Sequence, residues 1–150
     1  MTHPERAREL FLQGYNCSQA VVLAFCDVTG LDEQTALRLS SSFGGGMGRL
    51  REVCGTASGM FLVAGCLWGP TDPADRAAKA EHYALIQEMA RRFRERSGGS
   101  IVCRELLGAA GRDHAPVPTE RTPEFYRKRP CVQLVSNAAE ILDEILAEKR

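Results

Sequence analysis

The chain has 150 residues, enough to bury about 70% of its unfolded surface and to fold as one domain, residues 1–150, without disulfide bonds. Its 19 basic and 19 acidic residues cancel, and this balance argues against nucleic acid or an anionic membrane surface as a partner. The segment Met1 to Leu10 is charged and lacks the apolar core of a signal peptide, so we expect a cytoplasmic location.

Six cysteines are unusual in a reducing compartment, where structural disulfides are uncommon. We therefore expect them to be buried apolar side chains, metal ligands or redox thiols. No two of them are spaced as C-x-x-C. This excludes a thioredoxin-type motif, a zinc ribbon and the covalent attachment of c-type haem.

Cap and turn residues divide the first part of the chain into helices, and strand signals are nearly absent. Pro4 suits the first turn of a helix that ends near Gln13. Asn16 caps a second helix that begins near Cys17, and Asp32 caps a third.

A glycine loop, residues 44–48, then leads into the most apolar stretch of the chain. Consecutive glycines permit positive φ angles and a close backbone approach. From about residue 52 to residue 68 the pattern predicts a central helix, with Gly55 and Gly59 on one face where another helix can pack closely. This stretch is shorter than the roughly 20 residues that span a bilayer, so we expect no membrane span.

The rest of the chain is predicted to be helical except for one long segment. An amphipathic helix follows from about residue 71 to residue 97, a short helix follows Ser100, and a last helix begins at Pro130. Residues 109–129 are polar and rich in proline, which is typical of a lid or a partly disordered segment. The sequence thus predicts an all-α fold, a compact helical bundle around the central apolar helix.

Four of the cysteines fall in or near the first turn of a predicted helix: Cys17, Cys54, Cys103 and Cys131. The first turn offers unpaired N–H groups and a partial positive charge, and both stabilise a thiolate. The thiolate is the form that attacks disulfides, reacts with oxidants and binds metals. Directed at one point, the four would form a redox centre or a thiolate cage. Cys26 and Cys66 lie along apolar stripes, so we interpret them as buried apolar residues.

Five segments together resemble the C_GCAxxG_C_C family of redox-active proteins: G-Y-N-C-S-Q-A-V, F-G-G-G-M-G-R, E-V-C-G-T-A-S-G, C-R-E-L-L-G and P-C-V. The resemblance covers about residues 11–146 and maps the four shared cysteines of the family onto the four at helix starts. Thr56 stands where alanine is usual in the central C-G-A-x-x-G motif, and its hydroxyl could donate a hydrogen bond to a sulfur. The resemblance implies redox activity, a label that rests on the cysteines, and a link to a haem-protein module associated with an iron–sulfur cluster.

Three functions remain open from the sequence. In the first, the four thiolates bind an iron–sulfur cluster or zinc as a metal-binding or electron-transfer centre. The residues at the front of the central helix would then border the cofactor: Gly45, Gly46, Gly48, Arg49 and Gly55. Because the gaps between the cysteines are long, only the fold could bring them together.

In the second, a metal-free thiol–disulfide protein uses one cysteine of low pKa to attack and another to resolve. Arg49 and Arg51 would then help to hold the thiolate of Cys54. In the third, a non-catalytic helical domain binds a partner through its loop. The sequence leaves open whether the protein is an enzyme and which redox partner it uses, and apolar surface along a helix could support a homodimer.

Overall fold

A computed structural model describes residues 1–150 and is all-α, which confirms the predicted class. The α-helices are α1 (His3–Leu12), α2 (Cys17–Ala24), α3 (Cys26–Thr29), α4 (Glu33–Ser40), α5 (Gly44–Met47), α6 (Gly55–Trp68), α7 (Arg76–Arg96), α8 (Cys103–Leu107), α9 (Pro123–Lys128) and α10 (Cys131–Glu148). Two 3₁₀ helices cover Ser41–Phe43 and Gly108–Arg112. Extended pairing is limited to one antiparallel bridge, between Val53 and Val102.

The first helices begin at the predicted caps. The Asn16 side chain accepts a hydrogen bond from the backbone N–H of Gln19, and the Gln19 side chain accepts one in return from the N–H of Asn16. Asp32 accepts a hydrogen bond from the N–H of Thr35 at the start of α4. The Asn16 cap defines where α2 begins and therefore places Cys17 as its first residue.

Helix α6 packs against α2, α10 and α7, and the core is a cluster of 25 buried residues. Gly55 and Gly59 face α2, as predicted. A Cβ atom at position 59 would lie 2.9 Å from the backbone oxygen of Ser18, and one at position 55 would lie 2.6 Å from the sulfur of Cys17. The missing side chains therefore let the backbones of α2 and α6 come into direct contact.

The central helix begins at Gly55, three residues later than the predicted position 52. Residues 52–54 are extended because they pair with residues 101–103. The N–H of Cys54 donates to the carbonyl of Ile101 at 2.7 Å, and the N–H of Cys103 donates to the carbonyl of Glu52 at 2.6 Å. This short pairing joins the entrance of α6 to the entrance of α8.

The amphipathic helix also begins later than predicted. Asp75 caps α7 by accepting a hydrogen bond from the N–H of Ala78, so that the helix starts at Arg76. Its buried residues are Met89, Ala90 and Phe93, whereas Tyr83 is 63% exposed. The buried stripe therefore lies in the second half of the helix.

The long polar segment, residues 109–129, is folded against α1. Its Arg121 guanidinium lies 4.2 Å from the ring centroid of Phe11 and 4.9 Å from that of Phe125. The same side chain donates hydrogen bonds to the carbonyls of Phe11 and Tyr15. These contacts hold the segment in place over the end of the bundle.

None of the helices combines the length and the apolar composition that crossing a bilayer requires.

His3 links three elements near the N-terminus. Its Nδ1 lies 2.7 Å from a carboxylate oxygen of Asp143 and its Nε2 lies 2.9 Å from Asp27, while its ring stacks on Phe25 at 4.1 Å. Burial lowers the pKa of His3, but hydrogen bonds to Asp27 and Asp143 and the charges of both carboxylates outweigh it, so that the pKa is raised. The imidazole thus connects α1, α3 and α10.

We predict opposite effects of alanine at two glycines of α6. Gly59→Ala should lower the free energy of unfolding by about 1–2 kcal/mol, because its Cβ meets the α2 backbone. Gly65→Ala is the matched control; no atom lies within 4 Å of its Cβ, so it should raise stability by up to about 1 kcal/mol through helix propensity. Denaturant unfolding measures both. Equal effects would contradict the close contact.

We also predict that His3 makes stability depend on pH. A group whose pKa is higher in the folded protein than in the unfolded chain stabilises the folded protein when it is protonated. This stabilisation is complete below the pKa of the unfolded chain, about 6.5, and is lost as the pH rises through the pKa of the folded protein. Unfolding curves measured across this range should show the loss in the unaltered protein and not in His3→Gln. The exposed-loop variant His114→Gln should keep it. The same pH profile in His3→Gln would contradict the role of His3.

Candidate functional site

A cavity of about 320 Å³ lies where the entrances of α2, α6, α8 and α10 converge, and the four cysteines of the predicted set line it: Cys17, Cys54, Cys103 and Cys131. Cys17, Cys103 and Cys131 are the first residues of their helices. Cys54 is the cap residue just before α6. The structure thus brings to one cavity four residues that are far apart in the sequence.

The other two cysteines lie elsewhere. Cys66 is exposed on α6, so the expectation that it is a buried apolar residue is wrong. The pattern placed it on an apolar stripe, but α6 is apolar all round and this part of the helix faces solvent. Cys26 is half-buried at the start of α3, and its sulfur contacts the carbonyl of Val22 at 3.7 Å.

Cys17 and Cys54 lie side by side at the wall of the cavity. The thiol of Cys54 has the largest influence on the pKa of Cys17 and lowers it. The N–H groups of Gly45 and Ser18 and the hydroxyl of Thr56 lower it further, to about 6, although burial opposes the shift. The contact with Cys17 raises the pKa of Cys54 well above its ordinary value. Of the two thiols, Cys17 is therefore the one that ionises more readily.

Cys103 and Cys131 are not thiolates at neutral pH. Burial raises the pKa of Cys103, although the guanidinium of Arg51 donates a hydrogen bond to its sulfur at 3.7 Å. Burial and the charge of Cys17 raise the pKa of Cys131 to about 12. A helix start is therefore insufficient to ionise a cysteine here. Loss of hydration is the largest influence on Cys103 and Cys131, and the contact with Cys17 is the largest influence on Cys54.

The four sulfurs do not form a ready metal site in this conformation. No three cysteine, histidine or acidic side chains lie close enough together to share one ion. The Cys103 sulfur is engaged by Arg51, and Cys54 is engaged by Cys17. The arrangement therefore fits a cysteine pair better than a four-thiolate cage.

The glycine loop is shaped by residues in the left-handed region. Gly45 and Gly46 have φ angles of 67° and 70°, and so do three non-glycine residues nearby, with angles of 61° to 68°: Met47, Arg49 and Arg51. A Cβ atom at position 46 would lie 2.6 Å from the Cβ of Cys103. The loop therefore packs directly behind the cavity. Residues with strained backbone angles, such as the three non-glycine residues here, cluster at functional sites.

Of the residues expected to border a cofactor, four line the cavity: Gly45, Gly48, Arg49 and Gly55. Gly46 is buried behind it against Cys103. The two arginines do not hold the thiolate of Cys54 as expected. Arg51 reaches Cys103, and Arg49 pairs with Asp113 at 3.0 Å.

Sequence reasoning missed two arginines of this cavity, Arg121 and Arg129, which come from the long segment and its end. Both guanidinium groups contact aromatic rings, and that of Arg129 lies 4.5 Å from the ring centroid of Phe125. In the sequence they stand among other charged residues and give no periodic signal. Only the folding of residues 109–129 over the cavity identifies them.

Comparison with known proteins identifies a family. The pattern of the family described as "Putative redox-active protein (C_GCAxxG_C_C)" matches residues 15–145. No curated protein and no solved structure matches the chain. Because the family match spans most of the sequence and includes all four cavity cysteines, the protein belongs to the C_GCAxxG_C_C family.

Proposed function

We propose that the protein is a thiol–disulfide redox protein in which Cys17 attacks and Cys54 resolves. The observation that carries this proposal is the contact of two thiols at the wall of an accessible cavity, and Cys17 is the one whose pKa is lowered. A thiolate whose pKa lies below ambient pH is available as a nucleophile, and a neighbouring thiol is what a resolving cysteine requires.

The chemistry balances with a disulfide as the second reactant. The Cys17 thiolate attacks one sulfur of the substrate disulfide, and its other sulfur leaves as a thiolate. Cys54 then gives its proton to the thiolate that left in the first step and attacks the sulfur of Cys17, which closes a Cys17–Cys54 disulfide and releases the second substrate sulfur as a thiolate. Two electrons pass from the pair to the substrate, and the reverse sequence oxidises a substrate dithiol.

The surroundings of Cys17 favour its reduced form. Two backbone N–H groups, the Thr56 hydroxyl and the Cys54 thiol all stabilise the negative charge on its sulfur. These interactions weaken when the sulfur becomes part of a disulfide. Stabilising the reduced form raises the reduction potential of such a pair, so we expect the disulfide form to be a comparatively strong oxidant.

A second candidate function is a metal or iron–sulfur centre. It is favoured by one observation, that four cysteines line a single cavity together with positively charged arginines, which suit an anionic cluster. The present spacing of the sulfurs does not supply three ligands to one ion, so binding would require the side chains to move.

We predict distinct products from two cysteine variants, both made in a Cys66→Ser background because Cys66 is exposed. With a small disulfide, Cys54→Ser should accumulate a stable mixed disulfide on Cys17, since no resolving thiol remains. Cys17→Ser should lose the reaction. Mass spectrometry after rapid alkylation identifies both products, and Cys26→Ser is the control that should react normally.

Two outcomes would overturn the proposed function. If protein purified without oxygen contains stoichiometric iron or zinc that requires all four cavity cysteines, the second candidate replaces it. If the Cys17→Ser and Cys54→Ser variants react as the parent does and no metal is bound, only the non-catalytic interaction domain is left.

We predict that Thr56→Val raises the pKa of Cys17. The hydroxyl is fully buried, has no well-aligned partner, and lowers the pKa of both sulfurs beside it. Removing a hydroxyl dipole that lies beside the charged sulfur should raise the pKa by about one unit. Alkylation of Cys17 should then slow about twofold near neutral pH and about tenfold below pH 6.

The pH profile of Cys17 alkylation, read by mass spectrometry, measures this shift. Valine keeps the shape of threonine, so the packing of α6 against α2 is preserved. Thr71→Val, on an exposed turn, is the matched control and should leave the profile unchanged. An identical profile for Thr56→Val would show that the hydroxyl does not stabilise the thiolate.

A further inference from the structure

The cavity is strongly positive although the whole chain is neutral. Four arginines line it and no aspartate or glutamate does: Arg49, Arg51, Arg121 and Arg129. The carboxylate of Asp113 pairs with Arg49 from an exposed position. Even with the Cys17 thiolate counted, the cavity keeps a net positive charge.

Arg51 is the strongest sign of a missing partner. The residue is only 1% exposed, and its Nε donates to the carbonyl of Asp113 while its Nη1 faces the sulfur of Cys103. Its Nη2 is buried and has no hydrogen-bond partner, and no carboxylate pairs with the guanidinium. A buried cation without a counter-charge is costly, and so is a buried donor without an acceptor.

Arg121 and Arg129 are also left without a carboxylate. Arg121 is held by two backbone carbonyls and the ring of Phe11. Arg129 is held by the ring of Phe125 and a long contact of 3.5 Å to the hydroxyl of Thr119. Both side chains are therefore positioned by contacts that do not neutralise them, and their charges remain available to a ligand.

The backbone of the glycine loop helps to hold this arrangement. Arg49 and Arg51 both have positive φ angles, which non-glycine residues rarely adopt. The loop keeps this strain while placing the two guanidinium groups at the wall of the cavity. Strain at such residues is typical of sites that are built in advance for a ligand.

We propose that the cavity binds a small oxyanion-bearing disulfide, with a carboxylate or sulfonate held by Arg51 and Arg129 and the disulfide placed at Cys17. Planar guanidinium groups are suited to paired hydrogen bonds with such groups. The volume of about 320 Å³ suits a small molecule rather than a folded protein. This inference rests on the proposed function for the disulfide, whereas the oxyanion site itself depends only on the arginines.

Reaction rates test the substrate class. The probes are dithiodiacetate (carboxylates), dithiobis(ethanesulfonate) (sulfonates), the neutral hydroxyethyl disulfide and the cationic cystamine. Oxidation of Cys17 should be fastest with the anions and slowest with cystamine. In Arg129→Gln, the rate for the anions relative to the neutral disulfide should fall about tenfold. Arg112→Gln, at an exposed position outside the cavity, should keep the preference.

Binding tests the oxyanion site without redox chemistry. Adipate has the length and charge of dithiodiacetate but no sulfur, so its binding can be measured by calorimetry in a Cys17→Ser, Cys54→Ser variant. Binding should occur, weaken with added salt, and fall about tenfold or more in Arg129→Gln and in Arg51→Gln. Since Arg51 is buried, its variant is used only if circular dichroism shows a folded protein, and Arg129→Gln decides the test.

The outcomes separate the two proposals. If adipate binding depends on Arg129 but the protein does not react with disulfides, the oxyanion site is supported and the proposed thiol–disulfide function is wrong. Absence of adipate binding, or equal binding by Arg129→Gln and Arg112→Gln, would overturn the oxyanion site. Equal rates with anionic and neutral disulfides would overturn the substrate class. Preference for carboxylate over sulfonate, or the reverse, identifies which oxyanion the cavity takes.

Discussion

The contact between the backbones of α2 and α6 is the constraint on which the site depends. Gly59 lets α6 lie against the backbone of Ser18, and Gly55 leaves room for the sulfur of Cys17. With larger residues at these positions the helices would stand farther apart, and Cys17 would lose its contact with Cys54. One feature of packing therefore brings the two sulfurs together.

Similar positions give different chemistry in this cavity. Each of the four cysteines lies at a helix start, yet only Cys17 has a lowered pKa. Neighbouring donors stabilise its thiolate, whereas burial dominates at Cys103 and Cys131 and the contact with Cys17 dominates at Cys54. Such a division between one ionised thiol and its protonated neighbours suits attack and resolution. It also concentrates a single negative charge in a cavity whose other charges are positive.

The long segment and the glycine loop complete the site from opposite directions. Arg49 donates to the carbonyl of Ala115 and the hydroxyl of Thr119, and Arg51 donates to the carbonyl of Asp113. Arg121 fixes the other part of the segment on α1. The arginines that give the cavity its positive charge therefore also hold residues 109–129 over the cavity. The position of this segment and the charge of the cavity depend on the same side chains.

The sequence by itself determined the helical class, the starts of α2 and α4, and the four cysteines at helix entrances, because caps, glycines and apolar periodicity act over a few residues. It also indicated that Gly55 and Gly59 pack against another helix. Only the tertiary structure decided three other features: the pairing of residues 52–54 with residues 101–103, the contact of Cys17 with Cys54, and the position of Arg121 and Arg129 at the cavity. These features depend on contacts between distant segments, and the pKa of a buried thiol depends on neighbours that local patterns do not reveal.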